Sequence, residues 1–122
     1  MRTGCVEKVV LAVLDPALRS RLAGLLEGLG LRLEVLPGEE PLDFYRVARL
    51  ASRDAAPESI LVVTDASVVI GLEEARARIG LVKLLRVRGC SVEDVVASVR
   101  AVSCESIAAP CPVDAGLGWL QA

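Results

Sequence analysis

The side chains that could carry chemistry stand where apolar runs of the sequence end. The run Val9–Leu14 is followed by Asp15, and the run Ile60–Val63 is followed by Thr64 and Asp65. In an open α/β sheet, ligands bind beyond the carboxyl ends of the strands, at the point where the strand order reverses. Two carboxylates at such a point can hold Mg²⁺ through its retained water molecules. Asp15 and Asp65, with Thr64 beside them, are therefore the candidate ligand-binding residues for magnesium.

Asp15 also has a simpler role available to it, as the cap of a helix. Its carboxylate can accept a backbone N–H of the first turn, and Pro16 at the first helical position has no N–H to lose. Such a cap contributes about 1 kcal/mol. We therefore expect Asp15 to accept a backbone N–H from the turn after Pro16, and we favour the cap over the metal site. Thr64 and Asp65 likewise resemble turn and capping chemistry.

A second candidate site lies in the segment RVRGCSVED. Arg86 and Arg88, together with the free N–H groups of a helix that starts near Ser91, could bind an anion such as phosphate. Ser91 and Asp94 have the S-x-x-D spacing of a capping box. The alternative, which we favour, is a solvated edge strand followed by a capped helix.

The four cysteines raise the question of a disulfide. Cys5 precedes the first predicted strand and Cys104 ends the last predicted helix, so both should lie at the amino edge of the sheet, with Cys111 following in the tail. Cys90 begins that helix at the opposite edge, beyond the roughly 7 Å between Cα atoms that a disulfide allows. We expect either free buried cysteines or one disulfide from Cys5 to Cys104 or Cys111. A zinc site would lack a fourth side-chain ligand.

The composition argues against several classes of function. The absence of His removes the commonest general base and transition-metal ligand. A net charge of −2 and three aromatic residues disfavour nucleic-acid binding. Dinucleotide, Walker A, serine-hydrolase and C-x-x-C motifs are absent. The first apolar run is too short for a signal peptide or a membrane span, so we expect a cytoplasmic protein without a membrane partner or a cofactor, Mg²⁺ apart. Scarce amide side chains are typical of a thermophile, although GC-rich codon usage explains the excess of Arg over Lys equally well.

The apolar pattern alternates between strands and amphipathic helices. The predicted strands are Val9–Leu14, the half-exposed edge strand Leu31–Val35, Ile60–Val63 and Leu81–Val87. The predicted helices follow them at Leu18–Leu29, Pro41–Ala55, Ser67–Ile79 and Ser91–Ser103. Four such units in series predict a three-layer α/β/α domain over residues 1–103, with a four-stranded parallel sheet in the order 2-1-3-4. Residues 104–122 are predicted to form an irregular tail.

Three stretches carry a family resemblance. VLAVLDPALRSRLAGLLEGLGLRLEVLPGEE, ILVVTDAS and LVKLLRVRGCSVEDVVASVRAV resemble the first strand and helix, the fourth strand, and the fifth strand and last helix of response-regulator receiver domains, with Lys83 at the conserved-lysine position. The resemblance implies a flavodoxin-like fold. A lone Asp15 replaces the acidic pair that holds Mg²⁺ in receivers, the strand bearing the phosphoacceptor is missing between Glu39 and Ser59, and Leu84 replaces the usual proline after the lysine. The resemblance therefore implies a shortened, degenerate receiver without phosphotransfer.

Two functions follow from these observations. The first is a non-catalytic module that works through protein contacts or as a homodimer. The apolar tail residues Leu117, Trp119 and Leu120 support it, because fully burying a leucine is worth about 2 kcal/mol and these residues should pack on their own domain or on a second copy. The second is a small Mg²⁺- or phosphate-binding domain or enzyme that uses the acids and arginines at the carboxyl edge.

Overall fold

The computed structural model describes residues 5–103 and 109–114. Its strands are β1 Lys8–Val13, β2 Arg32–Pro37, β3 Leu42–Asp43, β4 Ile60–Thr64, β5 Val69–Ile70, β6 Lys83–Arg86 and β7 Val113–Asp114. Its α-helices are α1 Pro16–Glu27, α2 Phe44–Ala51, α3 Leu72–Arg78 and α4 Val92–Val102, with a short 3-10 helix at Pro57–Ser59. No helix in these ranges is long and apolar enough to cross a membrane.

The main sheet has five strands in the order β2-β1-β4-β6-β7. The first four are parallel, with Leu11 opposite Val35 and Val63 and with Val62 opposite Leu84. β7 is antiparallel to β6, with Val113 opposite Leu85. The prediction of an α/β fold with a mostly parallel sheet is confirmed. The predicted count of four strands is wrong, because the segment we expected to be irregular adds an antiparallel fifth strand at one edge.

β1 is buried along its whole length, as expected of a strand covered on both faces. Its side chains alternate between two apolar clusters. One cluster holds its odd-numbered positions with residues of α1 and α4, namely Val9, Leu11, Val13, Leu22, Leu26, Val95 and Val99. The other holds its even-numbered apolar positions with residues of α2 and α3, namely Val10, Ala12, Phe44, Val47, Ala48, Ala51 and Ala75. The helices therefore cover both faces of the sheet.

The connections on the α2 face differ from the predicted helices. α2 begins only at Phe44, where the Asp43 carboxylate accepts the Arg46 N–H at 3.2 Å. α3 begins only at Leu72, because the β-branched residues before it form β5. β3 and β5 pair in parallel as a separate two-stranded sheet, so the segment between residues 39 and 59 adds no strand to the main sheet.

The disulfide prediction is wrong for Cys111. Cys111 is bonded to Cys90, with their Cα atoms 6.4 Å apart. We expected Cys111 to stay at the amino edge, but β7 pairs antiparallel with β6, so Cys111, two residues before β7, lies at the carboxyl edge. α4 spans only about 16 Å. Because an extended chain covers about 3.3 Å per residue, a short segment after α4 is enough to bring the chain back from the amino edge to the carboxyl edge.

Other predictions for the tail fall outside the described ranges. Cys5 is disulfide-bonded and buried to an intermediate degree. Cys104, one of its predicted partners, lies outside the described residues, and so do Leu117, Trp119 and Leu120. The predicted packing of that apolar segment therefore stays a prediction.

Candidate functional site

Asp15 lies at the carboxyl end of β1 and caps α1. One carboxylate oxygen, Oδ1, accepts the backbone N–H groups of Ala17 at 3.0 Å and Leu18 at 3.4 Å. The predicted hydrogen bond to the turn after Pro16 is therefore confirmed.

Asp65 lies at the carboxyl end of β4 and spans the gap to β1. Its Oδ1 accepts the Leu14 N–H at 2.7 Å, and its Oδ2 accepts the Asp15 N–H at 3.1 Å. Both oxygens are thus directed at the backbone of the β1–α1 turn. Asp15 and Asp65 are adjacent, and the contact joins the Asp65 carboxylate to the Asp15 backbone N–H. No group of three or more Cys, Asp and Glu side chains suited to a metal occurs in the described ranges.

Thr64 and Gly38 complete the packing around this turn. Thr64 is fully buried, and its hydroxyl oxygen accepts the Ala66 N–H at 3.1 Å, which is a local turn. Gly38 passes so close to β1 that an added Cβ would lie 2.7 Å from the Leu14 Cα atom. The carboxyl end of β1 is therefore in direct contact with the chain that follows β2 on one side and with Asp65 on the other.

Glu40 holds the neighbouring loop and was not among our candidates. Its Oε1 accepts the N–H and the hydroxyl of Ser67 at 2.8 and 2.9 Å, and its Oε2 accepts the Val68 N–H at 2.8 Å. The N–H of Ser67, followed by that of Val68 and the nearby charge of Arg88, lowers the pKa of the Glu40 carboxyl. Because Glu40 and Ser67 are 27 residues apart, no local spacing in the sequence relates them.

The arginines of the second candidate site are at the same edge. Arg86 pairs in register with Thr64, and both Arg86 and Arg88 are exposed. The Ser91 hydroxyl oxygen accepts the Asp94 N–H at 3.0 Å, so Ser91 is the cap of α4. The structure therefore brings the arginines near Thr64 and Asp65, while the Ser91 side chain serves its own helix.

Lys83, placed by the receiver resemblance at the conserved-lysine position, lies at the opposite end of the sheet. It is the first residue of β6, opposite Leu61, and its ammonium donates to the Glu58 carbonyl at 2.6 Å. Burial lowers its pKa, although the charge of Glu58 opposes that shift. Lys83 is therefore too far along the strand to form a site with Asp15 and Asp65.

Lys8 is a buried charged residue that our sequence analysis also missed. Its side chain is only 4% exposed, and its ammonium donates to Glu34 at 2.7 Å, to Asp54 at 2.8 Å and to the Ala51 carbonyl at 3.2 Å. These three hydrogen bonds use all three N–H donors of the ammonium. Burial alone lowers the pKa of Lys8, but the hydrogen bonds to Asp54 and Glu34 outweigh it, so the pKa lies above its ordinary value. Lys8 links β1, β2 and the end of α2 at the amino edge.

Comparison with known proteins adds no further assignment. No protein-family model matches the chain, and neither a curated protein nor a solved structure matches it. The receiver resemblance therefore rests on the quoted motifs alone.

Proposed function

We propose that this chain is a non-catalytic interaction module, built on a receiver-like α/β frame, that works through protein contacts. One observation carries the proposal. At the carboxyl ends of β1 and β4, where a doubly wound sheet would hold a ligand, both carboxylate oxygens of Asp65 accept backbone N–H groups of the β1–α1 turn. The acid that would serve as a phosphoacceptor or a metal ligand instead joins two strands.

The alternative is a small domain that binds Mg²⁺ or phosphate at the same edge. In its favour, Arg86 and Arg88 are exposed near Thr64 and Asp65. Against it, the candidate acids are engaged by backbone donors, and the Ser91 hydroxyl is engaged by its own helix. A cation at Asp65 would compete with the backbone N–H groups for both carboxylate oxygens, so the interaction module is the better supported proposal.

A ligand screen by thermal melting tests the proposal on the full chain. A ligand that binds only the native state stabilises it by RT ln(1 + [L]/Kd), so Mg²⁺, inorganic phosphate and common nucleotides at millimolar concentration should raise the melting temperature measurably if they bind. We expect shifts below about 2 °C. We also expect no mass increase after incubation with acetyl phosphate and Mg²⁺. Phosphorylation that disappears in Asp65→Ala would show that the proposal is wrong.

Two substitutions of Asp15 separate the cap from a metal ligand. Asparagine is as good an N-cap as aspartate but lacks the charge, so Asp15→Asn should leave the melting temperature almost unchanged. Asp15→Ala removes the acceptor and should cost about 1 kcal/mol. A magnesium-dependent rise in melting temperature that Asp15→Asn abolishes would instead support the ligand-binding alternative.

A further inference from the structure

β2 is an edge strand whose outer side faces no other strand in the described part of the chain. The Arg32 N–H donates inward, to the Glu7 carbonyl at 3.0 Å. Because backbone groups alternate along a strand, Leu33 and Val35 direct their N–H and C=O groups outward. Val35 is 48% exposed, and the only proline, Pro37, is the last residue of the strand. Such an edge is a template for pairing with another strand.

The two faces of β2 differ in character. Leu31 and Leu33 pack against the cluster that contains α1, so Val35, two residues further, points to the same face. Arg32 and Glu34 lie on the other face, where they pair with Asp54 at 2.6 Å and Lys8 at 2.7 Å. These pairs leave Arg32 52% and Glu34 36% exposed. The edge therefore presents a row of apolar side chains on the face that packs against α1, and a positive and a negative side chain on the other face.

We propose that β2 pairs antiparallel with β2 of a second copy, about a two-fold axis at Leu33. In an antiparallel pair, two directly opposite residues point to the same face of the sheet. The two copies therefore present the same face on the same side only when the axis lies between a residue and the same residue of the second copy. With the axis at Leu33, Arg32 faces Glu34 of the second copy, and Leu31 faces its Val35. Opposite charges meet on one face and apolar side chains meet on the other, which stabilises cross-strand pairs. Leu33 of each copy then exchanges two backbone hydrogen bonds with its counterpart.

The neighbouring registers are less favourable. An axis at Glu34 places the two Glu34 carboxylates directly opposite each other, and like charges so placed are destabilising. An axis at Val35 places Glu34 against Leu36, and it places Leu33 against Pro37, which has no N–H to donate. The Leu33 register alone pairs both rows with matching side chains.

This self-complementarity favours a second copy over the chain's own tail as the occupant of the edge. The inference rests on the proposed function and names the partner as another copy of this chain. The pairing would extend the sheet across the dimer.

Sedimentation equilibrium of the full chain tests the dimer. We expect a monomer–dimer equilibrium whose dissociation constant rises at least about tenfold in Val35→Lys, because an edge lysine opposes pairing and replaces an apolar contact with Leu31. Val68→Lys is the matched control, since Val68 is 51% exposed and lies in the loop after β4, a strand that does not neighbour β2 in the sheet. The control should dimerise like the unmodified chain.

Cysteine cross-linking tests the register. With the axis at Leu33, the two Leu33 Cα atoms lie about 5.5 Å apart, within disulfide range, whereas the two Val35 Cα atoms lie about 14 Å apart. Under mild oxidation, Leu33→Cys should form a covalent dimer with residue 33 bonded to residue 33, and Val35→Cys should not.

Each remaining outcome is decisive. A monomer at all concentrations, or a dimer unaffected by Val35→Lys, would overturn the β2 inference and leave the interaction module standing. Cross-linking through Val35→Cys and not Leu33→Cys would overturn the register. A ligand response that depends on Asp15 or Asp65 would instead refute the proposed function, whatever the state of the dimer.

Discussion

At the scale of single residues, the acids of the carboxyl edge act as acceptors for backbone N–H groups. Asp15 and Asp43 cap helices, while Asp65 and Glu40 hold loops that are distant in sequence. The backbone N–H groups of Ser67 and Val68 stabilise the charged form of the Glu40 carboxyl and so lower its pKa. The backbone N–H groups of Leu14 and Asp15 engage both oxygens of Asp65, the acid that a phosphoryl group or a metal would need. The chemistry suggested by residue type is thus used for structure.

Glu40 gives the residue-scale prediction. Its pKa is lowered in the folded chain, so the stability it contributes is present above the ordinary value of 4.5 and is lost as the pH falls through the folded pKa. Glu40→Gln should lower the melting temperature at pH 7, and the difference should shrink as the pH falls from 7 through the folded pKa. Melts across this range measure it, with Glu27→Gln, an exposed carboxylate at the end of α1, as the control. A difference that stays constant with pH would contradict the assignment.

At the scale of elements, sequence patterns predicted those parts that local physics determines. The buried strands β1 and β4 are continuous apolar runs, and α1 and α4 have both a cap and a helical spacing. The errors lie where distant segments meet. β3 and β5 consist of two residues each and exist through their mutual pairing, and β7 depends on β6. Asp15 was correctly predicted as a cap from its neighbours, whereas the contacts of Asp65 and Glu40 lie 27 or more residues away.

Lys8 gives the element-scale prediction, because it joins β1, β2 and α2. Lys8→Met leaves the buried Ala51 carbonyl without this donor and places Glu34 near Asp54 without an intervening charge, so it should cost about 2 kcal/mol at pH 7. The raised pKa means that the stabilisation is complete below 10.5 and is lost as the pH rises through the folded pKa. The difference from the unmodified chain should therefore narrow in alkaline denaturant melts.

Lys83→Met is the matched control for this prediction. Burial lowers the pKa of Lys83, so its contribution to stability increases as the pH rises through its folded pKa towards 10.5. The two substitutions should change the alkaline limb of the stability curve in opposite directions. If the stability of both variants changed with pH in the same way, the ion pairs of Lys8 would not determine its titration.

At the scale of the whole molecule, long-range links join β7 and the segment before it to the helices. The Cys90–Cys111 disulfide joins the start of α4 to the segment before β7, and the Cys111 N–H donates to the buried Ser98 hydroxyl at 3.0 Å. Arg76 of α3 pairs with Asp114 of β7 at 2.8 Å. A strand of two residues has few bonds of its own, so these links hold the fifth strand of the sheet in place.

The disulfide gives the last prediction. It closes a loop with a sequence separation of 21, and in the chain-entropy model a loop of this length is worth about 3 kcal/mol. Cys90→Ala should therefore lower the melting temperature by about 10 °C. Cys111→Ala should have a similar effect, and the double variant should lose little more, because either substitution already removes the cross-link. Cys111 is buried but Cys90 is only partly so, which makes the comparison informative. If Cys90→Ala is nearly neutral while Cys111→Ala is costly, packing of Cys111 and not the cross-link stabilises the fifth strand.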